Sequence, residues 1–263
     1  MPAVADITPV ILTLNERPNI GRCLDRLAWA RRVVVVDSGS TDDTAAIVAR
    51  YPFAEWSVRP FDSHTAQWNH AVSLARTPWV LSLDADYILP TDFPSQIERH
   101  VLAHEVVAAF MPFRYCMFGR PLRASLYPPR AVLFRPDRCG YEPDGHTQRL
   151  KIDGTSVTLP VAIDHDDRKP VADWLASQAR YARLEADKLD MMPAGDRRPL
   201  DRVRRTIVLG PPAIAFYTLF VKGTVLDGWP GWFYAAQRIT AEYVLSLELL
   251  ERRLLGESRG RAR

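Results

Sequence analysis

The sequence predicts an α/β fold, a mostly parallel central sheet with flanking helices, followed by a helical carboxyl-terminal region. Three observations carry this expectation. Val33-Val34-Val35-Val36 is a run of four β-branched residues, which suits a strand buried on both faces in a helix-covered parallel sheet. Strand, short polar loop and helix alternate twice before residue 50, the arrangement of right-handed βαβ crossovers. The strands break at polar clusters, Asn15/Glu16, Asp37/Ser38 and Asp84/Asp86, and in such a sheet all three fall on one edge.

Residues 7–14 (ITPVILTL) read as the first strand. A polar stretch, Asn15 to Asn19, leads into a helix whose apolar positions Ile20, Cys23, Leu24 and Leu27 recur at helical spacing. After the valines, Ser40 or Thr41 is expected to cap a helix starting near Asp42, where acidic residues suit the positive helix end. Residues 65–76 are a third helix candidate, leading to the buried strand Trp79-Val80-Leu81-Ser82-Leu83. Further strands are expected over 106–113 and 131–135, separated by the Arg- and Pro-rich connection 119–130. That connection is too polar for core and long enough to shape an acceptor pocket.

On an extended backbone, side chains at i and i+2 share a face, so Asp84 and Asp86 present two carboxylates together. Hard divalent cations favour such oxygen ligands and keep room for substrate phosphates. A polar loop that carries Asp-x-Asp by chance is the plainer reading. Asp37 either meets a ligand at its strand end or satisfies the amides of its own turn. Convergence of the three clusters, more than any one of them, points to a nucleotide and metal site.

VILTLNE, VVVVDSGSTDDT and LSLDAD, in this order and spacing, resemble the amino-terminal half of family 2 glycosyltransferases, which have the Rossmann-like GT-A fold. LYPPRAVLFRP, YEPDGHTQRL, HDDRKPVADWLASQARYARLEA and KGTVLDGWPGWFYAAQRITAE are similar to bacterial lipopolysaccharide core β-1,4-glucosyltransferases and their relatives, so the likeness covers roughly residues 7–250. It implies a nucleotide-diphosphate sugar donor bound by Thr13, Asn15, Glu16, Asp37, Gln67, Asn69 and Asp84. It implies Mg²⁺ or Mn²⁺ held by Asp86, Asp84 and His165, and an inverting single displacement. Asp144 aligns with the family's catalytic base, and Glu142 is its rival. One departure is Trp68, which stands where the resemblance leads one to expect a basic residue, so no diphosphate contact is expected there.

The remaining segments extend this reading. Arg114, Arg120, Arg123 and Arg130 either bind an anionic acceptor or are solvated charges. Arg168 and Lys169 either neutralise a leaving diphosphate or lie at the surface. Residues 171–189 read as an amphipathic helix, and Arg197, Arg198, Arg202, Arg204 and Arg205 precede an apolar stretch from Ile207 to Val221. Pro211 and Pro212 interrupt that stretch, which is shorter than the ~20 residues a spanning helix needs. Its aromatics and flanking arginines suit peripheral contact with the inner face of the cytoplasmic membrane, or packing against protein. The expected layout is a catalytic domain over 1–169, with a nucleotide-sugar half of about 1–90 and an acceptor half of about 91–169, and a helical region over 170–263.

Composition agrees. With 263 residues, 47% hydrophobic and 25% charged, the chain is globular and buries a substantial core. Its net charge of +3 is too slight to argue for nucleic acid. Three cysteines without metal-ligand spacing suggest reduced thiols and a cytoplasmic setting, and no signal peptide is apparent. The acceptor expected is a glycan or glycolipid hydroxyl, and the oligomeric state stays open. Two other classes compete. A nucleotidyltransferase usually shows a Gly-rich phosphate loop, and Leu14 to Asn19 holds no glycine. A non-catalytic membrane-associated binding protein has no reason to keep Asp84, Asp86 and Asp144 together.

Overall fold

Burial of the valine run sets the centre of the fold. Strands β1 (Ile7–Thr13) and β2 (Val33–Asp37) run parallel through α1 (Ile20–Asp25), with Val10 beside Val34 and Thr13 beside Asp37. Alternation divides the valines between two cores. Val33 and Val35 pack with Ile11, Ile20 and Leu24 on one face, and Val34 and Val36 with Trp68 and Ala71 on the other. Each such side chain fully buried stabilises the fold by roughly 1.5–3 kcal/mol. The computed structural model describes residues 3–123, 128–144, 147–197 and 199–261, with the backbone alone for Asp144, Thr147, Ala194 and 257–261.

The chain continues through α2 (Thr44–Val48), β3 (Ala54–Val58), α3 (His64–Ser73) and β4 (Trp79–Asp84). Then follow β5 (Tyr87–Ile88), α4 (Phe93–Ile97), β6 (Ala108–Met111), β7 (Phe113–Met117) and β8 (Arg120–Pro121). β9 (Arg130–Phe134), β10 (Cys139–Asp144), β11 (Thr147–Ile152), β12 (Ser156–Thr158) and β13 (Ile163–His165) complete the strands. The main sheet has the order β12-β6-β9-β4-β1-β2-β3, and β9 alone runs antiparallel to its neighbours. A smaller sheet is ordered β5-β13-β7-β8, and β10 and β11 form a hairpin.

Several local expectations change. The strand foreseen over 106–113 divides at Pro112, which has no N–H to continue a ladder; β6 stays in the main sheet and β7 joins the smaller one. The helix after β2 begins at Thr44, and neither Ser40 nor Thr41 caps it. The Ser40 hydroxyl donates to Asp37 and the Thr41 N–H to Asn15 Oδ1. Pro143 and Asp144 lie in the β10–β11 hairpin, and Gly145 is outside the described residues. β3, unforeseen, is an edge strand without a single buried residue.

The chain separates into two compact units, Met1–Pro121 with Ser125–Arg168, and Leu122–Ala124 with Lys169–Arg263. The second contains α5 (Val171–Met191), α6 (Pro199–Arg205), α7 (Gly210–Phe216) and α8 (Trp229–Arg261). Ala182, Ala186 and Leu189 of α5 pack against Leu245 and Leu249 of α8. Arg204 joins Glu185 at 3.1 Å to the buried Glu242, also at 3.1 Å, a group whose removal would strand the buried Glu242 carboxylate. Arg123 meets Asp227 at 3.3 Å. Among the described residues no helix is long and apolar enough to cross a membrane.

Candidate active site

Register brings the three polar clusters together. Thr13 lies beside Asp37 across β1 and β2, and Leu12 beside Asp84 across β1 and β4. The carboxyl ends of three parallel strands therefore form one edge, where open α/β sheets hold their ligands.

At the β1–β2 corner the polar groups organise one another. Asp37 is buried and accepts hydrogen bonds from Thr13 Oγ1 at 2.9 Å, Gly39 N at 2.8 Å and Ser40 N at 2.7 Å. Asn15 sits at φ 54°, a left-handed conformation that asparagine tolerates, and its N–H donates to Ser40 Oγ at 2.8 Å. The Glu16 N–H donates to Thr44 Oγ1 at 2.9 Å, and Glu16 Oε2 accepts from Asn19 Nδ2 at 2.9 Å. Gln67, fully buried, reaches Ser38 Oγ and the Arg59 carbonyl, both at 3.1 Å. Asn69 makes a two-point contact with the backbone of Tyr141, at 2.9 and 3.1 Å. Gln67 and Asn69 thus brace α3 against its surroundings, and Asp37 anchors its own turn. Trp68 is core, its ring tilted 31° against that of Tyr141 with centroids 5.6 Å apart, which accounts for the missing basic side chain.

The acidic pair has its own partners. His165 lies opposite Tyr87 of β5 and Tyr115 of β7, so the three side chains share one face of the smaller sheet. Their rings are in contact, with centroids 5.4 Å apart for Tyr87 and 4.6 Å for Tyr115. The imidazole Nε2 is 2.9 Å from Asp86 Oδ2. Burial alone would push the His165 pKa down, but the Asp86 charge and hydrogen bond, with help from Asp84, raise it to about 9. Burial and repulsion from Asp86 push the Asp84 carboxyl up, while the Tyr87 phenol and Arg130 hold it back. Arg130 Nη1 also lies 3.4 Å from the Tyr87 hydroxyl.

This donor set suits a hard divalent cation with open coordination. Two carboxylates repel one another unless a positive charge is near; His165, beside Asp86, supplies it as imidazolium, and an ion that took Nε2 as a ligand would displace that proton. Among the described residues no group of three or more His, Cys, Asp or Glu side chains is placed to hold a metal ion, so an ion here would rest on one or two of these side chains with its other positions open. Mg²⁺ typically takes one or two carboxylates and completes its shell with water and substrate phosphate.

A profile of Glycosyl transferase family 2 matches residues 8–157 of the 263, which include all these donors but His165. The chain belongs to glycosyltransferase family 2. It is similar to the lipopolysaccharide core biosynthesis glycosyltransferase LpsC of Rhizobium meliloti, 37% identical over 84 residues, 30% of this chain and 31% of that protein. An uncharacterized glycosyltransferase of Rickettsia conorii, RC0292, is 34% identical over 99 residues, 37% of this chain and 35% of that one. These matches span about a third of each relative. S. aureus TarS 1–349 in complex with UDP-GlcNAc shares the fold, with a TM-score of 0.51 at 15% identity over 94% of this chain and 91% of that one. The mixed sheet with flanking helices is thus a GT-A-like fold.

Glu142 lies on the β10–β11 hairpin, its carboxylate 3.0 Å from Lys151 Nζ. Asp144 ends β10 opposite Thr147, and its side chain lies outside the described residues. Arg168 does not stand alone, since its guanidinium grips Asp166 at 2.7 Å.

Sequence reasoning missed the scaffold that aims His165. Asp164 pairs with Arg114 at 2.6 Å, and Asp166 accepts from Arg22 at 2.7 Å and from the Gly119 N–H at 3.0 Å. Burial alone would raise the Asp166 pKa, but Arg168, Gly119 and Arg22 hold it below the usual carboxylate range. Asn19 links Asp167 at 2.8 Å to Arg22 at 2.7 Å. Strand alternation could have assigned Asp164 and His165 to opposite faces, but not their distant partners. A cleft of about 400 Å³ opens beside Asp164 and Asp166, away from the tyrosine face, and both carboxylates there are already paired.

Proposed function

We propose that this enzyme is an inverting, metal-dependent hexosyltransferase. It moves a sugar from a nucleotide-diphosphate donor to a hydroxyl of a cell-envelope glycan or glycolipid, with lipopolysaccharide core as the acceptor class. The observation that carries the reading is His165 Nε2 at 2.9 Å from Asp86 Oδ2, two residues beyond the Asp84 that ends β4. The LpsC likeness supports the acceptor class, and a shared fold with a UDP-GlcNAc complex agrees with a nucleotide-sugar donor. Residues 1–169 form the catalytic domain in this reading, its donor half over 1–90 and its acceptor half over 91–169, and 170–263 attach it peripherally to the inner face of the cytoplasmic membrane.

Each residue has a defined task. Thr13, Asn15, Glu16, Asp37, Gln67 and Asn69 shape the donor cradle, Asp37 mainly by fixing the turn after β2. Asp84, Asp86 and His165 hold Mg²⁺ or Mn²⁺. When bound, such an ion stabilises negative charge on the departing diphosphate. Asp144 removes the acceptor hydroxyl's proton as the anomeric carbon is attacked. Glu142 is second choice, because Lys151 already engages it.

The test is a transfer assay with a panel of nucleotide sugars and envelope glycolipids, with chelator and with Mg²⁺ or Mn²⁺ restored. Transfer of one sugar that stops with chelator and returns with the ion is the expected result. A folded protein that neither transfers nor hydrolyses any donor in the panel refutes it.

A further inference from the structure

We propose that the second unit carries a groove that takes one acyl chain of a bilayer lipid, a site that deepens the membrane-surface reading above and rests on it. The groove has a volume of about 490 Å³, within the range of small-ligand sites. Ile207, Val208, Pro211, Pro212 and Ala215 form one wall. Ile239, Tyr243, Ser246, Leu247 and Leu250, on one face of α8, form the other. Apart from the Ser246 and Tyr243 hydroxyls the lining side chains are apolar, which fits a hydrocarbon chain and offers little to a polar ligand.

What lies outside the groove favours a lipid. Val208, Pro212, Phe216 and Phe220 are exposed, and so is the neighbour one residue after each, so the stripe repeats every four residues. Val208 is 73% exposed, Phe216 62% and Phe220 61%. Val208 and Pro212 belong to both stripe and groove, so the two apolar surfaces are continuous. α8 extends this surface, with Leu247 65% exposed and Leu254 beyond it 55%. Surface helices normally turn charges outward, and an apolar outer face this long marks an interaction site.

Charge selects the occupant. From Arg202 to Leu226 the chain contains no Asp or Glu, and cations stand at both ends of the stripe, Arg202 before it and Lys222 after it. That pattern complements an anionic headgroup layer over a hydrocarbon interior. A second copy fits less well, because a two-fold contact sets each patch against itself and brings these cations towards their own kind.

A chain-binding assay separates the groove from general membrane attachment. The probe is cis-parinaric acid, a fluorescent polyene fatty acid, added to the full-length protein and displaced by lysophosphatidylglycerol. Binding should saturate at one chain per protein. Ala215→Phe, which fills the groove from the α7 wall, should weaken it by about tenfold or more. Leu247→Gln lies on the exposed α8 wall and should weaken it severalfold, which keeps the test decisive if Ala215→Phe misfolds. Phe216→Ser/Phe220→Ser, outside the groove, should leave probe binding intact while reducing flotation with phosphatidylcholine vesicles that contain phosphatidylglycerol. Unsaturable uptake, wild-type affinity in both groove variants, or a concentration-dependent dimer that shields the groove would each overturn the proposal. Vesicle binding without probe binding refutes the groove alone, and loss of sugar transfer affects neither measurement.

Discussion

Asp86→Asn changes charge at nearly constant shape, and the structure sets the size of its effect. Asp86 Oδ2 lies 2.9 Å from His165 Nε2, and the imidazole pKa rises from 6.5 to about 9 although burial acts against it. That rise is worth about 3 kcal/mol in favour of imidazolium. Without the Asp86 charge only Asp84 and Asp167 still offset the burial cost, so the His165 pKa should fall by roughly two pH units. Nitrogen-detected NMR titration of the imidazole measures this directly.

The same pairing fixes how stability depends on pH. A histidine whose folded pKa is raised contributes stability that is complete below the unfolded value of 6.5 and is lost as pH climbs through about 9. Wild type should therefore exceed the variant most at pH 6, with the gap closing by about pH 9.5. Relief of Asp84, whose pKa is raised first by burial and then by Asp86, offsets part of the loss. For a chain of this size each 1 kcal/mol that remains lowers Tm by about 2–4 °C at pH 6. Metal-dependent transfer should disappear as well. An imidazole still titrating near 9 in the variant, or a stability gap that is flat from pH 6 to 9.5, would show that Asp86 is not what charges His165.

Three further outcomes are expected. Asp144→Asn should lower turnover by about 10²-fold or more with donor affinity nearly unchanged, while Glu142→Gln costs little; steady-state kinetics with a binding isotherm separates the two. Cys23, Cys116 and Cys139 are buried and their thiols are pushed up, Cys116 to about 12, so a disulfide reagent at pH 8 should label all three slowly in the native protein and quickly in denaturant. Burial and a hydrogen bond to Asp25 raise the Tyr51 phenol to about 12, so the folded state binds its proton more tightly, and stability from this group, complete below about 10, is lost between 10 and 12; Tyr51→Phe should flatten that part of an alkaline denaturation curve.

What was legible in the sequence follows from how local its causes are. β2 and β4 announced themselves because five residues of each are buried, and two-sided burial demands an unbroken apolar run. β3 gave no such signal, since an edge strand half covered by its neighbours needs no run. The clusters at Asp37 and Asp84 were legible for the same reason, as each ends a recognisable strand. Arg22 and Asp166 were not. They are 144 residues apart, and nothing near either one names the other. Gln67 and Asn69 carried family expectations of donor contact, yet their amides hold α3 to Arg59 and Tyr141, an outcome set by tertiary packing.

The aim of His165 shows why distant pairs matter to chemistry. β13 is only three residues long, and a slip of one residue would turn His165 from the tyrosine face to the cleft. Ladder bonds from so short a strand fix register weakly, so other contacts must do it. Asp164 is tied to Arg114 on β7, directly across from it, and the Asp166 N–H donates to the Asp86 carbonyl at 3.1 Å. Asp166 is clamped in turn by Arg22 and Arg168, and Asp167 by Asn19 at the start of α1. Charges on either side of His165 therefore select which residue reaches the acidic pair. The three acids of the His-Asp-Asp stretch and its preceding Asp are positioning residues by this reasoning, while the imidazole between them is the group that meets Asp86.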